Sequence, residues 1–134
     1  MLLRFAIFTL LAGLSLAGQA TKGAWWSRPA IRELNLSPQQ TREMRQTLKE
    51  YRPRLLELRA AVLKAEQDLE NEFNHDPVDM QKSNGVIERL VAARADLSRT
   101  LSQMGLKLRT VLTMQQWQEV EKRFPAGGKH GLRQ

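Results

Sequence analysis

Two apolar seams separated by one turn signal constrain this chain more than any other feature. From Met44 the apolar positions run Met44, Leu48, Tyr51, Leu55, Leu58, Val62, Ala65 and Leu69, stepping alternately by four and three. That spacing places them on one stripe of a helix, the pattern of a coiled-coil-like contact. A second run, Ile87, Leu90, Arg94, Leu97, Leu101, Met104, Leu108 and Val111, repeats the steps after Asn74-His75-Asp76-Pro77. In that turn Asp76 is suited to cap the next helix and Pro77 to begin it. Pro53 lies inside the first run and leaves the carbonyl of Lys49 without its amide, so a kink or break is expected there. No strand-like alternation competes with this reading. The expected fold is all-α: a long antiparallel helical hairpin with short flanking helices at its open end.

Arg94 is the one charge in the second seam. With Asn74 to Pro77 as the turn, it comes level with Glu57 on the first helix. An unpaired buried guanidinium costs several kcal/mol, so an Arg94–Glu57 pair that fixes the register is expected. Otherwise Arg94 runs its stem along the seam with its head in water, or lines the client face of a dimer.

A five-residue pattern occurs twice, as Leu36-Ser37-Pro38-Gln39-Gln40 and Leu112-Thr113-Met114-Gln115-Gln116. Each reads Leu-Ser/Thr-x-x-Gln. The hydroxyl of Ser37 or Thr113 is placed to accept from a first-turn amide, and Gln40 or Gln116 to reach back to the cap residue's own amide, a capping box. The duplicated pattern at the two ends of a helical hairpin resembles the LTxxQ signature of the Spy/CpxP family of periplasmic proteins, over Leu34 to Phe124. The resemblance implies an all-α, exported, cradle-like homodimer that acts as an ATP-independent chaperone or envelope-stress adaptor on unfolded or partner proteins. The related CnrX/ZraP branch implies the alternative, a periplasmic heavy-metal sensor or resistance protein. A third possibility is a structural partner that holds the periplasmic domain of an envelope receptor inactive.

The first residues fit that setting. Arg4 precedes an apolar stretch from Phe5 to Gly18, and Gly18-Gln19-Ala20 places small residues before a cut at Thr21. The stretch is short for a bilayer span, which takes ~20 residues, so a cleaved signal is expected over a retained anchor. The expected organisation is a signal peptide at 1–20, an N-terminal extension at 21–33, the hairpin domain at 34–124 and a disordered tail at 125–134. No cysteine is present, which excludes disulfides, thiolate metal sites and thiol nucleophiles.

The 21 Lys and Arg exceed the 14 Asp and Glu, and loss of residues 1–20 with Arg4 lowers the formal charge from +7 to +6. For an exported chain this points to membrane lipid head groups, acidic clients or an acidic partner domain, not nucleic acid. The charges are also segregated. Residues 65–79 carry Glu66, Asp68, Glu70, Glu72, Asp76 and Asp79 without a Lys or Arg, whereas residues 42–64 are basic. An antiparallel dimer would bring each acidic tip to the other's basic base; the plainer reading is a solvated surface with accidental blocks.

Several residues are candidates for chemistry. Arg45, Arg52 and Arg59 recur every seven residues on the flank of the first seam, either as a basic client-binding face or as a solvated flank paired to Glu57 or Glu66. Trp25 and Trp26 are large apolar surfaces suited to a client or the membrane interface, or to docking on the body as Trp117 would. Glu72, His75, Asp76 and Asp79, with Met80 beside them, form a weak nitrogen and oxygen cluster at the turn. A zinc, nickel or copper site wants several imidazoles or thiolates, so the plainer reading is a capped turn and no cofactor is expected. The sensor branch carries paired His, or His with Met, at helical spacing. Gln40 to Leu48 and the second helix hold no His, which puts sensing of that kind in doubt. No nucleophile-base arrangement suggests an enzyme.

Overall fold

The computed structural model describes residues 25–27 and 29–123. The expected signal at 1–20, Phe124 and the expected tail at 125–134 lie outside the described residues. The described chain is all-helical: short 3-10 turns at Trp25–Ser27 and Pro29–Leu34 precede α1 (Pro38–Phe73), α2 (Met80–Val111) and α3 (Met114–Arg123). Two compact units result, one of residues 38–111 and one formed by the segments before and after them.

In the first unit α1 and α2 pack as the expected antiparallel hairpin. Its core follows the seam: Met44, Leu55, Leu58 and Ala65 of α1 and Leu90, Met104 and Leu108 of α2 are buried, Leu108 completely. Near the tip the seam shifts by one residue. Val86 is 1% exposed and Ile87 is 40% exposed, so the expected inward position of Ile87 is corrected. The expected break at Pro53 is also absent, and α1 runs through it for 36 residues. Pro53 and Lys49 are both exposed, and a carbonyl that loses its amide on the solvent side of a helix costs little because water can take the amide's place.

The turn is longer than expected. Helix α2 begins at Met80, and its cap is Asp79, not Asp76: Asp79 Oδ1 accepts from the Lys82 amide at 3.0 Å. Asp79's own carbonyl takes the Ser83 hydroxyl at 2.7 Å. This correction moves the register of every pair across the hairpin.

In the second unit Trp25 is buried, with its ring edge-on to Trp26 at 5.7 Å and to Trp117 of α3 at 5.6 Å. Ile31, Leu34, Leu112 and Val120 are buried as well. Asn35, with φ 52°, ends the second 3-10 turn in the left-handed region that Asn tolerates among non-glycine residues. Arg123 pairs with Glu33.

Candidate functional site

The tip of the hairpin holds a cavity of about 450 Å³. Asp68, Glu72 and His75 stand along one side at steps of four and three, and Lys82, Val86 and Arg89 line the other side at the same steps. Matching periodicities on two antiparallel elements therefore bring carboxylates and imidazole opposite two cations. Glu72 is 4% exposed. Its Oε1 takes the Lys82 ammonium at 2.9 Å, and its Oε2 is buried with no hydrogen-bond partner among the described residues. Asp68 accepts from Lys64 at 3.4 Å and lies 4.0 Å from the Arg89 guanidinium.

His75 is exposed, and its Nδ1 lies 2.7 Å from the Asn71 carbonyl. A carbonyl only accepts, so in this contact Nδ1 is the donor. The other two tip candidates are not part of the cavity lining. Asp76 is exposed, and Asp79 is the cap of α2. Among the described residues no three His, Cys, Asp or Glu side chains converge closely enough to hold a metal ion. Lys82 already fills the cation position at Glu72, so the donor set does not fit a resident heavy metal.

The expected Arg94–Glu57 pair is not formed. Arg94 donates to Glu66 at 2.9 Å, while Glu57 faces solvent and pairs with Arg54 at 3.2 Å within its own helix. Two physical effects displace the partner. The longer turn shifts the level of α2 towards the tip, and side chains lean towards the N-terminus of their helix. In an antiparallel hairpin those leans carry Arg94 and Glu66 towards each other. Arg94 is also half-exposed, a flank residue and not a seam residue.

The second copy of the repeated pattern forms the expected capping box. The Thr113 amide donates to Gln116 Oε1 at 2.9 Å, and the Gln116 amide donates to Thr113 Oγ1 at 3.2 Å. Gln116 Nε2 also reaches the Leu34 carbonyl at 3.4 Å. In the first copy Gln40 Nε2 donates to the Val111 carbonyl at 3.0 Å, tying the start of α1 to the end of α2. Leu112 is buried, Leu36 half-buried and Ser37 exposed. The tertiary bonds of both glutamines escape a reading based on capping alone, because a cap is local and these partners are not.

Arg45, Arg52 and Arg59 are all exposed on α1. Trp25 is occupied by its ring contacts and Trp26 is half-buried, so docking on the chain's own α3 describes Trp25 better than a client contact does. Lys82 and Arg89 are the tip residues that the sequence does not single out; Asp68 and Glu66 stand out in it only as members of the acidic block, with Glu66 also a candidate partner of the α1 arginines.

The family model described as heavy-metal resistance matches residues 3–119. No curated protein and no solved structure matches the chain.

Proposed function

From the premise that this chain belongs to the heavy-metal resistance family, we propose that it serves resistance or response to heavy metals in the cell envelope. The match over residues 3–119 carries this reading. It favours the heavy-metal alternative over the chaperone or stress-adaptor role that the repeated pattern first suggested. The apolar stretch from Phe5 to Gly18, followed by small residues, supports export. No helix among the described residues is long and apolar enough to cross a membrane.

The protein acts as a binding protein and not an enzyme. Its described residues do not compose a resident metal site, so metal enters as an encountered ion and not as a permanent part of the fold.

The test is growth of cells lacking the gene, with and without its restoration, on graded nickel, cobalt, zinc and copper. It is paired with metal titration and an aggregation assay on the same purified protein. Reduced tolerance to at least one metal is expected, restored by the gene. Unchanged tolerance together with strong suppression of aggregation would return the protein to the chaperone class.

A further inference from the structure

Helix α1 presents a basic face to solvent on the side away from its buried seam. At 3.6 residues per turn, Arg42, Arg45, Lys49, Arg52 and Arg59 fall within ~60° of one line along the helix, and all are exposed. Leu56 and Leu63 lie close to that line and are 55% and 56% exposed. None of the five cations makes an ion pair among the described residues. The carboxylates of the same stretch, Glu43, Glu50 and Glu57, are each turned ~100° or more from the line. Carboxylates return to this side only towards the tip, with Glu66 and Glu70.

From Arg42 to Leu63 this face is ~32 Å long at 1.5 Å per residue. Whatever covers it must meet one sign of charge over that whole length and also shelter two leucines. Nucleic acid offers the charge, but its phosphate surface gives the leucines nothing. An acidic protein segment would need apolar residues of its own spaced to match Leu56 and Leu63. The surface of a bilayer with anionic lipids meets both demands, because negative head groups lie directly over an apolar layer. The long stems of arginine and lysine leave their charges among the head groups while the leucines between them dip below. Glu66 and Glu70 are repelled by the same head groups, so the contact ends before the acidic tip.

We infer that this face of α1 docks on a membrane surface that contains anionic phospholipid, with the helix lying along the surface. The cations supply an attraction that salt screens, and the leucines a short-range apolar hold. With only two leucines to insert, the attachment is peripheral and reversible. This inference does not rest on the heavy-metal reading and survives its failure.

Co-sedimentation of the purified full chain with lipid vesicles tests it. One set of vesicles contains phosphatidylglycerol, the other phosphatidylcholine alone. The apolar stretch from Phe5 to Gly18 would partition into both, so the reading is the excess of binding to the anionic set. A clear excess that shrinks as salt rises is expected. Arg45→Gln/Lys49→Gln/Arg52→Gln should weaken anionic binding about a hundredfold, at about fivefold for each cation. Leu56→Ser/Leu63→Ser should weaken it about tenfold. Arg54→Gln/Arg99→Gln/Lys122→Gln removes the same charge away from the face and should leave binding within a few-fold of the unchanged protein. Equal binding to the two vesicle sets overturns the inference. Equal losses in the two triple variants overturn it as well, since net charge alone would then explain the binding. A protein that ignores the vesicles but binds soluble polyglutamate reads acidic protein instead, and that outcome also overturns it.

Discussion

Glu72 is the buried carboxylate of the hairpin tip. It is buried, yet only one of its oxygens has a partner, the Lys82 ammonium. Removing a partner from a buried charged group leaves its desolvation uncompensated, which costs about 1–3 kcal/mol, whereas removing both groups together costs less. Lys82→Met should therefore lower stability by about 1–3 kcal/mol, and Glu72→Leu/Lys82→Met by clearly less. Urea denaturation of the two variants measures the difference. Equal losses would mean that the ammonium contributes packing by its stem and not charge compensation.

At the scale of the elements, the helices are built from a continuous seam with few local defects, and Gly85 is one of them. It lies inside α2, exposed, and a Cβ there would meet nothing within 4 Å. Gly85→Ala should stabilise the hairpin by ~0.5–1 kcal/mol through the lost freedom of the unfolded chain. A raised denaturation midpoint at unchanged slope is the expected reading. Thr113→Ala acts in the opposite direction, because it removes the acceptor of the Gln116 amide at the start of α3. A loss of ~1 kcal/mol is expected from denaturation, with the other half of the box, Gln116 on the Thr113 amide, still in place. The seams were legible because a four-three repeat over eight positions admits only one helix face. The start of α2 was not, because Asp76 and Asp79 are equally good caps three residues apart and local chemistry does not choose between them. That choice then carried the partner of Arg94 with it, from Glu57 to Glu66. The tip cavity shows a similar limit: its carboxylates and His75 could be read in the turn, but Lys82 and Arg89 became opposite them only once the register was known.

At the scale of the whole molecule, four ion pairs seen between α1 and α2 among the described residues share one polarity. Glu50, Glu66, Asp68 and Glu72 come from α1, and Lys107, Arg94, Arg89 and Lys82 from α2. A chain of formal charge +7 is thus tied across its hairpin by the carboxylates of one helix. The Glu50–Lys107 pair, at 2.8 Å, makes this testable by pH. The hydrogen bond from Lys107, then that from Gln46, hold Glu50 below its ordinary 4.5. The bond to Glu50 raises Lys107 above its ordinary 10.5. A carboxylate with a lowered folded pKa stabilises the fold above its unfolded value, and that contribution fades as pH falls through the folded one. An ammonium with a raised pKa contributes fully below its unfolded value and is lost only as pH rises through the folded one. Between these limits the pair's contribution should be flat with pH. Below 4.5 it should disappear. Both groups face water, so the effect is small and screened by salt. Thermal melts of the protein and of Glu50→Gln, from neutral to acid pH at low salt, should differ slightly at neutrality and converge in acid. Curves that stay parallel through the acid range would show that Glu50 contributes packing against the hairpin and not its charge.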